Sequence, residues 1–197
     1  MSLCASAWGA ASRIVIRLRV WRRCGEMHAR CSAKNGNPAM METSFEKLLA
    51  RLADANVRFV LVGGLAVALN GYVRLTEDVD ILIEPSELNV RRLLECLADF
   101  GEGFARELSV GDFSDEEGAI RIVEEAEHCQ LDIFTRMTGL HYADIAGDAV
   151  RSSIGGHEIL YASKVALIRL KSASVREKDR LDVAALQRLE QDPHALD

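Results

Sequence analysis

Residues 63–83 read GGLAVALNGYVRLTEDVDILI, and the order of signals within this stretch decides the fold. A short β-rich run, RFVLV over 58–62, ends in Gly63-Gly64, and a brief helical stretch, LAVALN, follows and closes at Gly71. Thirteen residues separate Gly64 from Asp78, enough for one short helix and a return strand beside the first. That strand, predicted over 79–83, is broken by Pro85-Ser86. Strand side chains alternate between faces, so Val79, Ile81 and Ile83 point into a core while Asp78 and Asp80 share the other face. Their Cα atoms lie about 6.5–7 Å apart on an extended strand. Two carboxylates so placed repel each other and resist ionising unless a hard, oxygen-seeking cation joins them, and Mg²⁺ is the natural occupant.

Working outward, Thr43 and Glu46 form a capping-box pattern ahead of Phe45, Leu48, Leu49 and Leu52, which predicts a first helix running to about Ala55. Ser86 is placed to cap a helix over ELNVRRLLECLADF. Two strands are expected at 119–123 and 129–134 around an acidic turn, then a hairpin at 151–154 and 157–160 turning on Gly155-Gly156. Helices at about 162–174 and 176–191 finish the pattern. In QLDIF, Leu131 and Ile133 face the core while Asp132 faces away with Gln130 and Phe134, so Asp132 is a third candidate carboxylate on a neighbouring strand. Three acids on adjacent strands suit a two-metal site. Gly63-Gly64, at a strand end that opens a helix, is where backbone N–H groups can approach phosphate oxygens.

The whole chain has 197 residues, 49% hydrophobic and 27% charged, with three prolines, which describes a folded chain able to bury a real core. Every apolar run is cut by charge well short of the roughly 20 residues a membrane span needs. Five scattered cysteines form no CxxC pair, so neither a disulfide framework nor a zinc site is indicated, and a reducing cytoplasm suits them. Residues 1–40 carry seven basic side chains against one acid, whereas the remainder carries 17 basic against 29 acidic. An acidic body excludes a broad DNA-binding surface but leaves room for a local basic pocket. The basic segment, with its alternating RIVIRLRVWRR (13–23), later methionines and an Asn35-Gly36-Asn37-Pro38 breaker, reads as a leader or over-extended start. The domain is expected over 41–197.

The quoted stretch resembles the signature of the DNA polymerase β-type nucleotidyltransferase superfamily: a glycine pair, a short helix, an hDxD strand and a third Asp on a later strand. Within it, Arg74, Thr76, Asp78 and Asp80 in R-x-T-x-D-x-D form, with the tail SKVALIRLKSASVREKDRLD, are similar to the small AbiEii-like and MNT-like proteins of toxin–antitoxin and phage-defence systems. The resemblance implies an α/β (α+β) fold: a minimal mixed sheet with packed helices and a short helical tail. It implies that Gly63 and Gly64 bind nucleotide phosphates, that Asp78 and Asp80 hold two Mg²⁺ ions (Mn²⁺ serving in their place), and that Asp132 completes the metal site and helps activate the attacking hydroxyl. Arg74, Thr76, Lys164 and Lys171 join the nucleotide-binding set. Lys164 and Lys171, seven apart on one helix, share a face that either meets phosphate or is a solvated Lys/Asp surface. The tail also holds Asp179 and Asp182.

The activity implied is transfer of a nucleoside monophosphate from an NTP to a hydroxyl, on a tRNA 3′ end or on a partner toxin or antitoxin protein. The other reading is a catalytically silent protein of the same fold that binds and neutralises a partner. Many relatives carry Ser at the glycine pair, but Leu65 follows Gly64 here, which leaves phosphate contacts to backbone amides. His128, His141 and His157 share no metal-ligand spacing, and Cys96 and Cys129 read as small core residues.

Overall fold

The computed structural model describes residues 44–76, 78–124 and 129–192. The basic leader, the Thr43 cap, His128 and most of the acidic turn before residue 129 lie outside the described residues. Helix α1 (Ser44–Asp54) buries Leu48, Leu49 and Leu52, the stripe that its 3.6-residue period places on one side. Strand β1 (Phe59–Val62) is buried along its whole length and runs directly into α2 (Gly63–Leu69). The glycine pair therefore forms the first turn of the helix and does not merely precede it, as the run LAVALN suggested. Strand β2 (Asp78–Ile83) returns antiparallel to β1, with Val62 opposite Asp80.

Helix α3 (Glu87–Leu97) is shorter than its sequence pattern, and Ser86 stands at its N-cap without capping it: the hydroxyl bonds the Glu84 carboxylate instead. Two 3₁₀ turns (Gly101–Glu107 and Val110–Asp112) lead into β3 (Ile120–Glu124) and β4 (Cys129–Phe134). Then come a two-stranded ribbon, β5 (Arg136–Met137) and β6 (Leu140–His141), and the short α4 (Tyr142–Ala146), none of them foreseen from periodicity because each is too short to show one. The hairpin β7 (Val150–Ile154) and β8 (His157–Tyr161) precedes α5 (Lys164–Lys171) and α6 (Glu177–Gln191).

The main sheet has the order β3-β4-β2-β1-β8-β7. It is mixed: β1 pairs with β8 and β2 with β4 in parallel, while the remaining neighbours are antiparallel. Val79, Ile81, Leu82 and Ile83 of β2 are fully buried, as are Leu131 of β4 and Leu61 of β1, so the core lies under the central strands. Among the described residues no helix is long and apolar enough to cross a membrane. Asp78 and Asp80 are kept at one end of the central strand, where the apolar burial stops.

Candidate active site

Register sets the site. Asp80 of β2 pairs with Asp132 of β4, and Asp132 in turn pairs with Arg121 of β3, so three charged residues stand in one row across neighbouring strands about 4.8 Å apart. Two residues away along β2, Asp78 pairs with Gln130, whose Nε2 donates to Asp78 Oδ1 at 2.8 Å. Asp78, Asp80, Asp132 and Arg121 line a cavity of about 390 Å³ whose wall also includes Gly63, Gly64, Arg74 and Lys171.

Asp80 explains the glycine pair. Gly63 adopts φ +65°, and a Cβ there would stand 1.9 Å from Asp80 Oδ2, inside the carboxylate. Only glycine lets the chain turn from β1 into α2 past this group. At Gly64 a Cβ would come within 2.5 Å of Thr76 Oγ1 and 3.0 Å of an Arg74 guanidinium nitrogen. The Gly64 N–H bonds the Asp80 carboxylate, so one of the two amides expected to meet phosphate already serves the acid. Burial, then the negative charges of Asp132 and Asp78, push the Asp80 carboxyl up from 3.8 to about 6, and the Gly64 amide and the Lys171 charge pull only weakly the other way.

Asp132 is 5% exposed and is not free. Arg121 Nε donates to its Oδ1 at 2.7 Å and Nη2 to its Oδ2 at 2.6 Å, a two-pronged ion pair that also holds the guanidinium above its ordinary range. Among the described residues no group of three or more His, Cys, Asp or Glu is arranged to hold a metal. Asp78 and Asp80 nevertheless fit a divalent cation: both face the cavity, Asp78 keeps one oxygen clear of Gln130, and positive charge beside Asp80 would relieve the repulsion that raises it. Asp132, gripped by Arg121, does not fit as a ligand in this arrangement.

The structure brings together Asp78, Asp80, Asp132, Gly63, Gly64, Arg74 and Lys171. Thr76 stands behind that wall, packed over Gly64, with its hydroxyl 3.4 Å from the Asp78 carbonyl. Lys164 is elsewhere: its Nζ donates to the Leu189 carbonyl at 3.0 Å, tying the start of α5 to the end of α6. The two lysines of α5 therefore do not act as a pair, because a seven-residue spacing fixes a helix face but not which neighbour covers each end of it. Gln130 was placed on the face of Asp132 but given no role, and Arg121 escaped the reading, although a lone arginine amid the apolar alternation of IRIVE was a usable signal. His141 and His157 lie outside the cavity wall, beside Asp115 and Asp54 respectively.

Residues 41–196 match the model of a protein family described as nucleotidyl transferase of unknown function (DUF2204). The chain belongs to this family. It is a nucleotidyltransferase, and its mixed sheet with packed helices is a nucleotidyltransferase fold. Two solved structures are similar to this nucleotidyltransferase. One, the lincosamide antibiotic adenylyltransferase LnuA bound to lincomycin, is 20% identical over 74% of this chain and 97% of its own, with a TM-score of 0.48. The other, an antigenic nucleotidyltransferase-like protein from Paracoccidioides brasiliensis, is 20% identical over 74% of this chain and 77% of its own, with a TM-score of 0.41. No curated protein matches the chain.

Proposed function

We propose that this nucleotidyltransferase uses the cavity above β2 and β4 to transfer a nucleoside monophosphate from an NTP to an acceptor hydroxyl, with Asp78 and Asp80 holding divalent metal. The observation that carries this reading is the placement of both acids of the DxD strand in one cavity with the glycine turn, Arg74 and Lys171. Mg²⁺, or Mn²⁺ in its place, would neutralise the phosphate charge and polarise the reacting oxygens. The acceptor oxygen bonds to the α-phosphorus, the α–β bridging bond breaks, pyrophosphate departs, and the hydroxyl proton passes to a cavity carboxylate. Arg74 and Lys171 face the triphosphate, and Arg176 and Lys178 extend the basic wall outward. That outer wall favours a polyanionic acceptor, the 3′ end of a tRNA, in keeping with an AbiEii-like role in a toxin–antitoxin or phage-defence system.

The test incubates the protein with Mg²⁺, α-labelled NTPs and either bulk tRNA or the product of the neighbouring gene. Label is expected on tRNA from the α-position and not from the γ-position, and Asp78→Ala and Asp80→Ala are each expected to abolish it. Labelling of the neighbouring protein alone would replace the RNA acceptor with a protein hydroxyl, as in an MNT-like antitoxin. Transfer undiminished in both Asp variants would refute the site.

A further inference from the structure

Helix α6 contributes two buried acids to the back of the cavity. Asp182 is fully enclosed, and an acid so placed is almost never without partners. Its Oδ1 accepts from Arg74 Nε at 2.7 Å, and its Oδ2 accepts from Arg74 Nη2 and from Lys171 Nζ, both at 2.9 Å. Lys171 also reaches Asp179 Oδ1 at 2.5 Å, and Ser174 Oγ donates to the other Asp179 oxygen at 2.6 Å. Two cations and two carboxylates thus balance inside the protein, which offsets the cost of burying each.

The cations held this way are the two placed toward the triphosphate. Arg74 comes from a loop that is otherwise open to solvent: its neighbours Val73 and Leu75 are 84% and 87% exposed. Apart from a bond to the Leu75 carbonyl, the hydrogen bonds that fix its side chain go to Asp182, 108 residues further along the chain. Its Nη2 stands over the first turn of α2, where a Cβ on Gly64 would approach it to 3.0 Å. We infer that Asp182 is a positioning residue for nucleotide binding. Without touching nucleotide itself, it holds Arg74 over the glycine turn and steadies Lys171, so that neither long side chain has to be ordered when the triphosphate arrives. This rests on the nucleotide reading of the cavity given above.

Calorimetric titration with each MgNTP in turn, on the full chain, tests it in a double-mutant cycle alongside thermal melts. The wild type is expected to bind one MgNTP or more. Asp182→Asn is expected to weaken that binding about tenfold and Arg74→Gln by at least as much, while the double variant loses clearly less than the product of the two, the remainder being the share of Lys171. If Asp182→Asn does not fold, Asp182→Glu takes its place, keeping the charge but moving it by one methylene. In the transfer assay the loss is expected in KM and not in kcat. An Asp182 variant that melts early yet binds MgNTP as the wild type does, or single losses that multiply in the double variant, would reduce Asp182 to a structural clamp and overturn the inference. A folded wild type that binds no MgNTP would overturn the nucleotide reading and this inference with it, whereas binding by wild type and variant alike overturns the inference alone.

Discussion

Asp80→Asn should make the metal-free protein more stable while destroying its activity. The Asp80 carboxyl is pushed from 3.8 in an unfolded chain to about 6 in the folded one, a difference of about two units. At about 1.4 kcal/mol per unit, ionising it in place costs the folded state about 3 kcal/mol at most. Asparagine keeps an oxygen for the Gly64 amide but removes the charge that Asp132 and Asp78 repel. Because the folded-state value is the higher of the two, the wild type suffers no penalty below about pH 4. The penalty grows as pH rises from there to about 6 and is complete above that. Thermal melts in EDTA at pH 8 should therefore show the variant ahead by roughly 4–8 °C, a gain of about 2 kcal/mol for a chain of this size. The gap should close in melts near pH 4. Adding Mg²⁺ should raise the wild type and recover most of the difference, since a ligand that binds only the folded state stabilises it. A variant no more stable than the wild type at pH 8, or a gap that does not depend on pH, would refute the account of Asp80 as a repelled, half-buried carboxylate.

Three further outcomes follow from the geometry. Gly63→Ala forces a Cβ into the Asp80 carboxylate at a left-handed position, so it should cost at least about 2 kcal/mol in urea denaturation, and Asp80→Gly in the same chain should recover part of that loss. Arg121→Gln strands the buried Asp132 and should cost roughly 1–3 kcal/mol, a loss that adding Asp132→Asn should largely reverse. Lys171→Met should weaken NTP binding severalfold in titrations, whereas Lys164→Met should leave it unchanged and lower the melting temperature by only a few degrees, having lost one bond to a helix end.

The central strands and both acids of the DxD pair were legible because alternation holds at the start of β2: Val79 and Ile81 went in while Asp78 and Asp80 took the other face, and only further along, at Leu82, are both faces buried. Asp132 was legible as a strand carboxylate, and its register with Asp80 bears out the neighbouring-strand reading. What alternation cannot give is the partner across the next strand, so the Arg121 grip on Asp132 stayed hidden although both residues stood in plain view. The glycine pair was read as a phosphate-approach signal, but the tightest contact at Gly63 is the protein's own Asp80 carboxylate. The tail acids were legible only as family-like residues, since a sequence reading has no means of joining Asp182 to an arginine 108 positions earlier. Lys164 shows the converse failure: helical spacing put it beside Lys171, and the packing of α6 took it away.

The ion pair between Arg74 and Asp182 also has a bearing on time. On the ribosome, the two acids of the DxD strand emerge about a hundred residues before the carboxylate that fixes their neighbouring arginine. A nascent chain therefore holds Asp78 and Asp80 long before α6 exists to close the back of the cavity. The back of the cavity is thus completed only once α6 has been made, so a chain cut short before residue 177 carries both acids without the ion-paired wall that holds Arg74.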